Sequence, residues 1–175
     1  MLWNIKDMPG YIIHLAVGKE YAKKNEIKNI EEFEKGIIAP DLISKEDKQA
    51  SHYGPNSSQP DLNKFLKANG ILTEYNEGYF LHLLTDFLFY NKFLKEWDPL
   101  IYKDYNKLNE KLIKKYDIII PEIIKDIVKF EDGKLTVLNE EELYKFISCV
   151  GKIDVRTIAK KSADVQKDIE QEVEI

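Results

Sequence analysis

The chain has 175 residues, 43% hydrophobic and 33% charged, a balance that fits one soluble globular domain and argues against a disordered chain. A formal net charge of −5 argues against non-specific nucleic-acid binding, which needs a basic face, and against attachment to an anionic membrane surface. No run approaches the ~18 apolar residues of a membrane span. The first residues show neither a basic region nor an apolar stretch, and the single cysteine, Cys149, can close no internal disulfide, so a reducing, cytoplasmic setting is the expectation.

The pattern along the chain is helical nearly throughout and predicts an all-α fold, a helical bundle around one buried central helix. A first helix is expected over residues 11–24, after Pro9 and Gly10. Asn29 caps a second, 30–38, which Pro40 stops. Residues 41–60 are rich in Ser, Pro, Asn and Gly and read as a long loop; such a loop inside a compact domain is either functional or disordered. A short helix, 61–68, ends at Asn69 and Gly70. Residues 73–97 are predicted as a helix whose centre, 79–90, is apolar on nearly every side, as expected in the middle of a bundle. Asp98 and Pro99 open an amphipathic helix running to about Tyr116. Residues 121–130 read as a further helix, 131–134 as a turn, and 135–138 as a small hairpin. Asn139 with Glu142 forms a variant capping box for the next helix, where Cys149 falls in an apolar run as a small core residue. From Asp154 a polar helix is expected to fray into an acidic end. Residues 1–153 are therefore read as the domain proper and 154–175 as its C-terminal helix and tail.

The chain has three histidines, His14, His52 and His82. His82 and Asp86 lie four apart on the predicted buried helix, so they share a face with Cβ atoms ~6 Å apart. One cation could bind both, since metal–ligand bonds are ~2 Å; a plain histidine–aspartate hydrogen bond inside the bundle is the simpler alternative. Asp41 stands just past Pro40, His52 follows eleven positions later, and His14 lies on the first helix beside Gly18, a residue small enough to admit a neighbouring helix.

The order of these blocks is more specific than any one of them. A histidine (His14), then Gly-x-x-Ala-Pro-Asp (36–41), Ser-His-Tyr (51–53) and Gly-Tyr-x-x-His-x-x-x-Asp (78–86) resembles the zinc-dependent phospholipase C family over residues 9–93. The resemblance implies an all-α bundle holding up to three metal ions, usually zinc. It implies Asp41, His52, His82 and Asp86 as the first metal site, Asp86 as a bridge to a second ion, and His14 as a ligand of that second ion. Two imidazoles with two carboxylates suit zinc and accept iron or manganese. The family also uses an N-terminal tryptophan, which here is Trp3, with two residues ahead of it. No histidine follows His82, so a further metal site is either absent or rebuilt from carboxylates. Asp104 is one candidate replacement; its plain reading is a solvated residue on an amphipathic helix.

The expected function is metal-dependent phosphoester hydrolysis, with a metal-activated water attacking phosphorus. Asp41 is a candidate general base and Asp86 a catalytic bridge. Tyr53, and with it Tyr79 and Tyr90, are candidate substrate contacts, and residues 44–59 would border the entrance. Without an export signal or a membrane-binding helix, a small or soluble phosphoester is favoured over bulk phospholipid. Two alternatives stand beside this reading: a non-catalytic metal-binding helical module, and a nucleotide-directed metal phosphohydrolase.

Overall fold

The computed structural model describes residues 10–43, 47–161 and 163–175. Trp3 and part of the predicted 41–60 loop lie outside them. Among the described residues the protein is all-α, with no strand. In chain order the helices are α1 (Tyr11–Ala22), α2 (Ile30–Ile38), α3 (Lys48–His52), α4 (Leu62–Asn69), α5 (Glu74–Leu88), α6 (Ile101–Tyr116), α7 (Glu140–Gly151), α8 (Val155–Lys161) and α9 (Val165–Glu172).

Five of the helices, α2, α4, α5, α7 and α9, begin where a short polar side chain accepts from a free N–H of the first turn. Asn29, Asp61, Thr73, Asn139 and Asp164 each accept from the backbone N–H three residues on. Gly70, at φ 66°, takes a positive-φ conformation that favours glycine and ends α4. α5 is buried on almost every side, from Glu77 and Gly78 through Leu88, and forms the axis of the bundle. Past Leu88 it loosens into a π-helical turn, Phe89–Phe93, so the predicted helix stops short and Trp97 lies in an exposed connection.

α2 and α5 meet backbone to backbone. A Cβ added at Gly36 would stand 2.0 Å from the Tyr75 carbonyl oxygen, and one at Gly78 would stand 2.1 Å from that of Phe33. No other residue allows this approach, because every other side chain begins with a Cβ. Gly18 of α1 admits the Ile37 side chain of α2 in the same way, at 2.4 Å.

Four expectations are overturned in the second half. Residues 121–130 form only a 3-10 turn, Glu122–Ile124, in an otherwise irregular segment. Four of those ten residues, Ile123, Ile124, Ile127 and Val128, and the three isoleucines before Pro121 are β-branched, which costs helix propensity, and the side chains of Ile118, Ile124 and Val128 anchor the segment instead. The 135–138 hairpin does not form. The backbone N–H groups of Thr136, Val137 and Leu138 donate to the carboxylate of Asp104 at 2.7–2.9 Å. That carboxylate satisfies the donors a strand partner would otherwise take. The C-terminal stretch does not fray: it forms both α8 and α9, which bury Val155, Val165 and Ile169 in the core. Gln166 accepts from the Leu62 N–H, and Arg156 pairs with the buried Glu77. Cys149 is half-buried, its Sγ donating to the Glu174 carbonyl, where a core position was expected.

Candidate metal centre

The five predicted ligands are carried inward by four separate elements. α1 is buried from Tyr11 to Gly18, so His14 projects into the core. A 3-10 turn, Ala39–Asp41, follows α2 directly and holds Asp41, whose backbone oxygen accepts from the Tyr11 hydroxyl at 2.8 Å. His52 ends α3, because Tyr53 takes the left-handed conformation at φ 59°. Ser51 ties α3 to the 3-10 turn by donating to the Pro40 carbonyl at 2.8 Å, and Tyr79 donates to the Ser51 carbonyl at 2.5 Å. His82 and Asp86 share one face of α5, as their spacing predicts.

Both rings at the centre are oriented through their Nδ1 atoms. His82 Nδ1 lies 2.6 Å from the Ile37 carbonyl oxygen, and His52 Nδ1 lies 2.9 Å from that of Lys48. A carbonyl only accepts, so each Nδ1 carries a proton, and the neutral form of either ring presents a bare Nε2. The close approach of α2 and α5 through Gly36 and Gly78 is what brings the Ile37 carbonyl within reach.

The two Nε2 atoms are buried and make no hydrogen bond. Around them stand carboxylate oxygens at ligand spacing. Asp86 Oδ2 is 3.2 Å from His52 Nε2 and 3.1 Å from His82 Nε2. Asp41 Oδ1 is 3.5 Å from His52 Nε2, and Asp41 Oδ2 is 3.6 Å from His82 Nε2. Ligands ~2.0–2.1 Å from one tetrahedral ion stand about 3.3 Å from each other. These four nitrogen–oxygen spacings are close to those of ligands on one cation, and Asp41, His52 and His82 each offer a ligand atom within 4.8 Å of the others; an orphaned pair of buried nitrogens is otherwise costly.

His14 occupies the other side of Asp86. Its Nε2 is 3.0 Å from Asp86 Oδ1, and its ring stacks on that of His82 with centroids 3.6 Å apart and planes 9° apart. Its Nδ1 is buried and makes no hydrogen bond. Two groups of potential ligands overlap here, His14 with His82 and Asp86, and Asp41 with His52 and His82. His82 has one free nitrogen and can serve one ion only. Asp86, with Oδ2 toward His52 and His82 and Oδ1 toward His14, is the side chain placed to bridge two. Burial disfavours the Asp86 charge, but the His82 and His14 rings, with His52 beside them, outweigh it and hold the carboxyl well below its ordinary value.

No family model matches this chain, and neither a curated protein nor a solved structure matches it. The geometry therefore carries the functional argument.

The remaining candidates are placed differently. Tyr53 turns toward α4, where its hydroxyl accepts from Asn69 Nδ2 at 2.8 Å and its ring packs edge-on against Phe65. It borders an open groove of about 1070 Å³ lined also by Pro60, Lys64 and Asn91, and none of the five ligands lines that groove. The Tyr79 hydroxyl is engaged by Ser51. Tyr90 is hydrogen-bonded to Tyr105, and burial, then the charge of Asp86, raises its pKa far above the ordinary phenol value. Asp104 is neither solvated nor near a cluster of ligands: it is fully buried and spends its oxygens on three backbone N–H groups. Sequence reasoning overlooked Lys48, whose Nζ lies 3.7 Å from Asp41 Oδ1. The spacing that pairs His82 with Asp86 also pairs Lys48 with His52 and could have found it.

Proposed function

We propose that the protein is a metal-dependent phosphoester hydrolase of the zinc-dependent phospholipase C type. One observation carries the reading: two bare, buried imidazole nitrogens face two carboxylates at the mutual spacing of ligands on one ion. His52 and His82, locked through Nδ1, would hold the ion with Asp41 and Asp86, while His14 and Asp86 Oδ1 would hold a second. A bound divalent cation acidifies water and draws charge from phosphoryl oxygens, which is the chemistry of phosphoester hydrolysis. Zinc suits this donor set, with iron and manganese acceptable.

The protein's own groups then divide the work. Asp86 makes the shorter contacts, 3.0–3.2 Å, and is the firm ligand. Asp41 stands farther from both rings, at 3.5 and 3.6 Å, and would be the looser ligand, whose oxygen turned from the ion could take a proton from the attacking water. The substrate is a small phosphoester.

The burial of all five side chains favours a second reading, a metal-binding module without turnover. Metal analysis of the purified chain, followed by aryl phosphate, phosphodiester, nucleotide and lipid-analogue substrates with zinc, manganese or iron restored after chelation, separates the two. Metal-dependent turnover supports the hydrolase, and nucleotide turnover alone narrows it to a nucleotide phosphohydrolase. Stoichiometric metal with no turnover of any substrate selects the module.

A further inference from the structure

Lys48 reaches the cluster from the same helix as His52. The two residues lie four apart on α3 and share a face. Only 16% of the Lys48 side chain is exposed, and its Nζ is 3.7 Å from Asp41 Oδ1. That separation is a charge contact and too long for a hydrogen bond, so Asp41 does not consume the donors of the ammonium.

The charge count decides what those donors are for. Asp41 and Asp86 bring two negative charges; one divalent cation would already cancel both, and a second would leave the cluster positive. Lys48 would then stand as a further positive charge at the edge of a largely dry cluster with no net negative charge, where its field is less screened than in water. Its buried stem holds the head in place, so little freedom remains to be lost on binding. We infer that Lys48 is an anion-binding residue of this site, donating to a phosphoryl oxygen once a cation has taken Asp41; the inference rests on the phosphoester reading above. In the metal-free protein the same ammonium serves as the counter-ion of Asp41. The site is thereby selective for anionic phosphoryl groups over neutral esters or amides.

The test is calorimetric titration of inorganic phosphate into the zinc-loaded full chain, for wild type, Lys48→Met and Lys48→Arg. Methionine keeps the apolar stem and removes the charge. Lys48→Met should retain the wild-type zinc stoichiometry yet bind phosphate on the order of 10- to 100-fold more weakly, the range of a lost charge-assisted hydrogen bond. Lys48→Arg should recover most of that loss. With an aryl phosphate, Lys48→Met should raise KM more than it lowers kcat. Unchanged phosphate affinity in zinc-loaded Lys48→Met would overturn the inference and leave Lys48 a mere counter-ion, with the hydrolase reading intact. A wild-type protein that holds zinc but binds no phosphate would overturn it as well. Phosphate binding that depends on Lys48, in a zinc-loaded protein that turns over no phosphoester, would support the anion site and remove the hydrolase reading.

Discussion

Gly36→Ala should damage the metal centre without touching a ligand. The added Cβ would stand 2.0 Å from the Tyr75 carbonyl oxygen. Real contacts of this kind do not fall below 3.0 Å, so α2 and α5 must part locally by about 1 Å. The obstacle is backbone and cannot rotate away. The same displacement stretches the His82 Nδ1 to Ile37 oxygen contact from 2.6 Å to about 3.6 Å, past the limit of a hydrogen bond. His82 then loses the partner that fixes its tautomer and ring plane, a change that typically costs 10–100-fold in metal affinity. Overpacking of this kind costs about 1–3 kcal/mol, partly offset by the better helix propensity of alanine. For a chain of this size that corresponds to a fall in Tm of about 2–12 °C. Gly18→Ala is the control, because its Cβ would meet the Ile37 Cδ1 atom, the tip of a side chain that can rotate. Thermal melts with and without zinc, together with zinc titration against a competing chelator, read both effects. Wild-type zinc affinity in Gly36→Ala, with Gly18→Ala equally or more affected, would refute the coupling between helix approach and His82 orientation.

Other substitutions probe the site and its surroundings separately. His82→Ala should abolish stoichiometric zinc binding, measured by metal analysis after gel filtration, and with it any metal-dependent turnover. Asp86→Asn keeps the size but loses the bridging charge, so zinc stoichiometry should drop by the ion nearest His14 first; retention of two ions would contradict a bridge. Asp104→Asn places an amide against three N–H donors and should cost about 1–3 kcal/mol, or about 2–12 °C in Tm, with zinc affinity unchanged; loss of zinc there would restore Asp104 as a ligand. Zinc at a free concentration 100-fold above its Kd should stabilise the wild type by about 2.7 kcal/mol, a rise in Tm of about 5–11 °C, and have no such effect on His82→Ala.

What could be read from the sequence alone was local. The caps at Asn29 and Asn139, the stop at Pro40 and the end at Gly70 mark helices because each acts within one turn of itself. The near-continuous apolar run of α5 announced a central helix, since only an element covered on almost all sides can carry it. The spacing of His82 and Asp86 placed them on one face, and the order of motif blocks pointed to His14, Asp41 and His52. The tertiary structure decided what no local pattern encodes. Residues 118–138 have no clean period: the buried Ile118, Ile124 and Val128 anchor the first part, and Asp104, more than thirty residues upstream, receives the N–H groups of Thr136, Val137 and Leu138. Tyr53 sits next to His52 in sequence, yet the left-handed turn that ends α3 sends it to α4. The orientation of His82 depends on a backbone carbonyl that becomes available only because two glycines on different helices let their backbones meet. Carbonyls carry no residue identity, and charges such as that of Lys48 gain a role only from the distance to a carboxylate on another segment. Chemistry that depends on which atoms are left without partners is settled by packing, because packing alone determines which partners are taken.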